Sequence, residues 1–334
     1  MSALQIGIIT IVSIAALIGI GAMLVYLTLQ RLIRSVVAPF HQGYGQVLTQ
    51  EIQRNQLDPN LMDIKYDKLF LKNNRNQELT ARLYLAQPQT DRYLLFLHGY
   101  HYPWVGALKY LPMLLDLGFN VLVPDQQAHG ESQGDCITFG ALESDDALEW
   151  LEQIRRHAQT MGFERARIGV MGESMGAVTA LMTTAKANST HVPMVNKPLF
   201  CIADCPFSDW KSILLRQAKK RYSLNLSPLL PMLRTIIRKQ TGVELDEVSS
   251  VKAAAAIRVP TLLFHGTEDH LVPAEMSQQI AAANESNITL HLVDGAHHMN
   301  CYTTNPQEYR NQLLRLLAQV PFESEATERY AVYL

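Results

Sequence analysis

The stretch Arg167–Met182, RIGVMGESMGAVTALM, decides how the chain is read. Ile168 to Met171 is a short apolar run suited to a buried strand, and the residues after Ser174 are small and suited to a helix. Between them lies the pattern G-x-S-x-G: Gly172, Glu173, Ser174, Met175 and Gly176. A serine on a tight strand-to-helix turn lifts its hydroxyl above the edge of a sheet, and the flanking glycines let the backbone approach itself closely. The helix N-terminus that follows favours negative charge developing nearby. Ser174 is therefore the expected nucleophile.

A serine hydroxyl needs a base beside it, and the base needs an acceptor that fixes its tautomer. After such an elbow the expected order along the chain is serine, acid, histidine. Downstream of Ser174, LLFHGTEDHLVP (Leu262–Pro273) places Asp269 just past an apolar strand. Asp269 is the expected acid, with Glu268 beside it and Asp204, at the end of CIADCP, as rivals. LVDGAHHMNCY (Leu292–Tyr302) then offers two candidate bases, His297 and His298, with Asp294 expected to cap the turn. An oxyanion would need two N–H donors. These are expected from the backbone of Met175 and of Tyr100, the latter in LHGYHYPW (Leu97–Trp104). In that loop His98 reads as structural, while His101 and Trp104 are expected to line the entrance for substrate. His129, near Asp125 in PDQQAHGESQG, reads as part of a turn network.

The flanking sequence supplies the frame. YDKLFLKN and LTARLYLAQP, separated by NNRNQE, read as a hairpin. From Tyr93 onward apolar strand runs alternate with helices, which implies a mostly parallel sheet covered on both faces. Lys211 to Ile257 breaks the rhythm and reads as a helical cap inserted between the sixth and seventh strands. The last helix is well marked, with Asn305 as N-cap, Pro306 at the first position and Glu308 at the capping-box position.

Ala3 to Gln30 contains no charged residue. That exceeds the roughly 20 residues a helix needs to span a bilayer, so a membrane anchor is expected. Arg31 and Arg34 follow it, which points to a cytoplasmic catalytic domain by the positive-inside rule. The expected organisation is an anchor over residues 1–34, a linker over 35–63, a catalytic domain over 64–320 with the cap at about 211–257, and a tail over 321–334. A 48% hydrophobic composition allows a large core, and a net charge of −2 gives no support for a nucleic-acid partner. The four cysteines, Cys136, Cys201, Cys205 and Cys301, lack C-x-x-C spacing and read as reduced thiols. No H-E-x-x-H, G-x-x-x-x-G-K-[ST] or G-x-G-x-x-G pattern occurs, so neither a metal nor a nucleotide cofactor is expected.

Taken in order, LHGYHYPW, VLVPDQQAHGESQGDCITFGALESDD, GVMGESMGAVTA, LFHGTEDHLVP and GAHHMNCY resemble the α/β-hydrolase superfamily. They are similar in particular to its bacterial membrane-anchored, serine-aminopeptidase-like branch. The resemblance runs from about Ile64 to Val320. It implies an eight-stranded sheet and a Ser-Asp-His triad. That family's late motif, Gly-Ala-x-His with a tyrosine four residues on, falls on Gly295, Ala296, His298 and Tyr302, which selects His298 as base. Gln126 and Gln127 stand where the family often has an arginine, which puts the support of that turn in question. The expected activity is a membrane-tethered serine hydrolase acting on a small acyl substrate, whether ester, thioester or small amide. The apolar run LSPLLPMLRTII (Leu226–Ile237) is a candidate acyl site in the cap. A peptidase of the aminopeptidase type, or a non-catalytic binding or scaffold protein on the same fold, are the alternatives.

Overall fold

The structure, a computed structural model, describes residues 2–41, 44–53, 57–188 and 197–320. It begins with helix α1 (Ala3–Val37), whose 35 residues give a rod about 50 Å long at 1.5 Å per residue. Apolar side chains from Leu4 to Leu27 face solvent on this helix. Its hydroxyls satisfy themselves: Thr10 and Thr28 donate to the carbonyls of Ile6 and Leu24 at 3.0 and 2.8 Å. The helix is long and apolar enough to cross a bilayer, a property that signal sequences share. Its last turns behave differently. Leu29, Ile33 and Val37, spaced four apart on one face, are buried in the main core.

The region expected as a linker carries the end of α1, a second helix α2 (Gly45–Gln53) and a 3-10 turn at Pro59–Asp63. Strands β1 (Asp67–Lys72) and β2 (Glu78–Tyr84) form the expected antiparallel hairpin. Then come β3 (Arg92–Leu97), α3 (Leu111–Asp116), β4 (Asn120–Pro124), α4 (Glu143–Thr160), β5 (Arg167–Glu173) and α5 (Met175–Ala187). Strand β6 (Phe200–Asp204) precedes three helices, α6 (Trp210–Tyr222), α7 (Leu230–Thr241) and α8 (Ser250–Ala256). The chain continues through β7 (Thr261–Gly266), α9 (Ala274–Ala282), β8 (Ile288–Val293), α10 (Cys301–Thr304) and α11 (Pro306–Leu317). The expected tail, residues 321–334, lies outside the described residues.

The eight strands form one sheet in the order β1-β2-β4-β3-β5-β6-β7-β8, parallel from β4 to β8. Alternation along β3 divides the interior: Tyr93, Leu95 and Leu97 join the core that holds α4 and α5, and Leu94 and Phe96 join the core that holds α3 and α11. Helix α4 buries Ala147, Trp150, Leu151, Ile154 and Ala158, the spacing of one helical face. The sequence ALKYLPMLLDLG (Ala107–Gly118) reads as helical throughout, but helix α3 covers only Leu111–Asp116 of it. Pro112 sits at its N-terminus, and Trp104–Ala107 takes a 3-10 turn instead. Helix α11 begins as expected, the Asn305 side chain accepting from Glu308 N–H at 3.2 Å.

Candidate active site

The parallel register brings the strand ends together at one edge. Leu97 pairs with Gly172, Glu173 with Asp204, and Gly266 with Val293. The loops after β3, β5, β7 and β8 therefore meet above that edge, where ligands bind in open parallel sheets. Ser174 occupies the β5–α5 turn with φ 53° and ψ −117°, a left-handed conformation that costs about 1–3 kcal/mol for a non-glycine residue. The turn closes because its neighbours lack side chains. A Cβ on Gly172 would overlap the Gly176 carbonyl, and one on Gly176 would overlap the carbonyls of Leu97 and His98.

The acid and histidine loops are tied to each other. Glu268 N–H donates to Ala296 O at 3.0 Å, and Gly295 N–H to the Thr267 hydroxyl at 2.9 Å. Thr267 also donates to Asp294 at 3.2 Å, which holds the turn before the histidines. The two histidines then diverge. His297 sends Nδ1 to the Glu268 carbonyl at 3.0 Å. His298 places Nε2 2.8 Å from Ser174 Oγ and Nδ1 2.6 Å from Asp269 Oδ2. The other oxygen of Asp269 accepts from the N–H groups of Leu271 and Val272 at 2.9 and 2.8 Å. Burial pushes the Asp269 carboxyl up, but hydrogen bonds from His265 and His298 and the charge of His298 outweigh it and hold the group well below the usual carboxylate range. Asp204, the rival acid, is fully buried beneath the edge and accepts from the Tyr110 hydroxyl at 3.2 Å.

Met175 is the first residue of α5, so its N–H has no acceptor within the helix. Among the described residues the N–H of Tyr100 has no acceptor either. The Tyr100 loop is braced from below. His98 donates from Nδ1 to Gly99 O at 2.8 Å, and its Nε2 accepts from Gln126 N–H at 2.9 Å. The Gln126 side chain returns a hydrogen bond to His98 O at 2.7 Å, so glutamine supports this turn where an arginine is common in the family. His129 accepts from His101 N–H at 3.3 Å, as part of the same turn network. Burial holds both imidazoles, His98 and His129, below their ordinary pKa and so neutral.

A cavity of about 190 Å³ opens on Ser174. Its walls include Val36 of α1, Tyr100, Phe139, and Phe207, Trp210 and Leu214 at the start of the inserted helices, with Arg221 as its charged member. His101 and Trp104, expected at the entrance, are elsewhere. The His101 ring is sandwiched between Tyr100 and Phe40, at centroid distances of 3.8 and 4.3 Å. The Trp104 indole is buried under the Arg82 guanidinium, 4.1 Å from its ring centre. Leu226–Ile237, the expected acyl site, does not line the cavity; Leu233, Ile236 and Ile237 are committed to the core alongside α1.

A second cavity of about 410 Å³ lies against His298, with Glu51, Lys109 and Asn300 among its lining residues. Lys109, which no sequence pattern singled out, sits 2.9 Å from Glu173 and donates to Met299 O at 2.8 Å. Burial pushes the Glu173 carboxyl up to about 7 despite that cation. The sulfur of Cys205 also lies within 4.8 Å of ligand atoms on Asp269 and His298. Burial keeps Cys205 a thiol, and both His298 nitrogens are engaged, so this trio is not arranged as a metal site.

The sequence profile of the alpha/beta hydrolase family matches residues 94–312. The chain belongs to that family. It is similar to the uncharacterized protein YqkD of Bacillus subtilis (strain 168), with 30% identity over 234 residues, 70% of this chain and 73% of that protein. Among solved structures, the Pyrococcus furiosus esterase Pf2001 superposes with a TM-score of 0.57 at 23% identity, covering 79% of this chain and 94% of that one. The thermophilic esterase Est2 of Thermogutta terrifontis superposes with a TM-score of 0.56 at 17% identity, covering 80% and 98%. These likenesses establish the fold, that of the alpha/beta hydrolases.

Proposed function

We propose that the chain is a membrane-anchored serine hydrolase that cleaves acyl esters through Ser174, His298 and Asp269. The observation that carries this reading is the continuous line from Ser174 Oγ through His298 to Asp269, at 2.8 and 2.6 Å. His298 Nε2 takes the hydroxyl proton as Ser174 Oγ bonds to the acyl carbon. Asp269 holds the Nδ1–H tautomer and stabilises the imidazolium. The N–H groups of Met175 and Tyr100 receive the oxyanion. The bond to the leaving alcohol breaks, and His298 hands the alcohol its proton. A water then loses a proton to Nε2, adds to the acyl carbon, and Ser174 departs with that proton as the acid is released.

Two further observations favour an ester over an N-terminal peptide. The cavity is mainly apolar, and its charged lining residue is Arg221, which repels an α-amine. The anchor reading rests on α1, whose final turns are built into the core at Leu29, Ile33 and Val37. A leader destined for removal would have no reason to supply core residues. With Arg31 and Arg34 following the uncharged run, the catalytic domain faces the cytoplasm.

The test is labelling of membranes with a fluorophosphonate probe. Wild type reacts, and Ser174→Ala does not. A folded wild type that never labels sinks the proposal and favours a scaffold protein.

A further inference from the structure

The anchor helix does more than precede the catalytic domain: it supplies part of the wall of the Ser174 cavity. Val36 lines that cavity, and its carbonyl accepts from the Tyr100 hydroxyl at 2.8 Å. Val37 O accepts from Ile137 N–H at 2.8 Å, and Phe40 O from Gly130 N–H at 3.0 Å. Gln30, the last residue of the uncharged run, has its carbonyl bonded by the Gln240 side chain of α7 at 3.0 Å. From Gln30 to Val36 is six residues of continuous helix, about 9 Å of rise. If α1 spans the bilayer, the cavity wall therefore stands at the outer edge of the headgroup layer, which is roughly 5–8 Å deep, rather than far out in bulk water.

The opposite rim suits that location. The last turn of helix α6 carries Lys219, Lys220 and Arg221 and closes on Tyr222; Tyr222 and, just beyond the helix, Leu224 are 56% and 47% exposed. Basic side chains beside an exposed tyrosine and leucine are the composition of a membrane interface, where cations meet anionic headgroups and aromatic rings sit at their level. Arg221 lines the cavity and has no carboxylate partner among the described residues. Phe139, Phe207, Trp210, Ile213 and Leu214 make the interior apolar. At about 190 Å³ the cavity is smaller than the roughly 300–1,000 Å³ usual for drug-sized ligands, so it suits the carbonyl end of one acyl chain, the rest of which stays in the leaflet.

We propose that this site draws its substrate sideways from the adjoining leaflet: a single-chain lipid ester, its acyl chain against Val36, Trp210 and Leu214 and its anionic headgroup at Arg221. The inference rests on the hydrolase and anchor readings above. Water adds to the ester as already described, releasing a fatty acid and the headgroup alcohol.

The experiment uses the full chain in lipid nanodiscs. Three substrates are compared: a palmitoyl lysophosphatidylglycerol, a palmitoyl monoglyceride and a water-soluble butyryl ester. Reactive Ser174 is counted in parallel with a small fluorophosphonate. The expected result is a kcat/KM at least about tenfold higher for the lysolipid than for the butyryl ester, as burial of several additional methylenes requires. Val36→Trp should shrink that ratio about tenfold. Arg221→Glu should cost more on the anionic lysolipid than on the uncharged monoglyceride. A labelled enzyme with no preference for the lysolipid, or a preference that Val36→Trp leaves intact, overturns the inference while the hydrolase reading stands. Equal effects of Arg221→Glu on both lipids remove the headgroup assignment. Failure to label at all brings down the hydrolase reading itself, and that outcome is read before any lipid is added.

Discussion

Lys109 donates a 2.8 Å hydrogen bond to the carbonyl of Met299, the residue that follows His298. Met299 has φ 62°, a conformation that needs outside support in a non-glycine residue. The same ammonium lies 2.9 Å from Glu173, the residue before Ser174, so one buried cation touches both the nucleophile turn and the histidine loop. Lys109→Met should lower kcat by about tenfold with a smaller change in KM, because a misplaced base slows the chemical step. It should also destabilise the fold, by up to ~3–5 kcal/mol, by leaving the buried Glu173 carboxylate with the Tyr110 hydroxyl but no cation. The double variant Lys109→Met/Glu173→Gln separates the two effects. Its melting temperature should recover, while kcat should stay low because Met299 still lacks its donor. Recovery of both would reduce Lys109 to a structural role.

The paired histidines make opposite predictions. His298→Ala should cut kcat by about a thousandfold or more, and Asp269→Asn by a similar factor through the wrong tautomer. His297→Ala removes one contact to the Glu268 carbonyl and should stay within about fivefold of wild type. Steady-state rates on a short-chain ester decide it. A large loss in His297→Ala with activity retained in His298→Ala would reverse the assignment.

Glu173 gives stability a particular pH dependence. Its carboxyl is raised to about 7 by burial, against 4.5 as the ordinary value. An acid raised in the folded state favours folding while it is protonated in both states, below pH 4.5, and that contribution is lost as pH climbs to 7. The amount is up to ~3 kcal/mol. Glu173→Gln should flatten the fall in melting temperature across that window. Identical pH profiles for the variant and wild type would show that Glu173 ionises without cost.

Ser174 pays for its place on the elbow with backbone strain at φ 53°. Ser174→Gly should be more stable than Ser174→Ala by about 1 kcal/mol, since both lose the hydroxyl but only glycine relaxes the turn. Urea midpoints of the two variants measure the difference.

Much of the candidate site's geometry could be read from the chain because it demands particular residues. The Gly172 and Gly176 positions admit no Cβ, and a serine between them at a strand end has few structural alternatives. The acid and histidine loops were legible because each follows an apolar strand of a parallel sheet, and the register fixes which ends meet. Choosing between His297 and His298 required the family's spacing, since adjacent residues on a short loop look alike in sequence. His101 and Trp104 were misplaced for a packing reason. Their positions depend on Phe40 and Arg82, partners more than twenty positions away in the chain. Lys109 and Val36 carried no local signal. A lysine in ALKYLPMLLDLG reads as a solvated face, and a valine at the end of an apolar helix reads as more of the same. Only the fold brings the first to Met299 and the second to Ser174's cavity.

Val36 therefore bears on how the molecule can be divided. From Leu4 to Val25 the apolar side chains of α1 are exposed, Tyr26 packs against the core, and Leu29, Ile33 and Val37 belong to it. Shortening that ended before Tyr26 would spare the core contacts of α1. Shortening past Val37 would delete a core face, the acceptor for the Tyr100 hydroxyl and a side of the reaction chamber together. The apolar N-terminal segment and the sheet domain share one continuous helix, so they are not separable modules joined by a hinge.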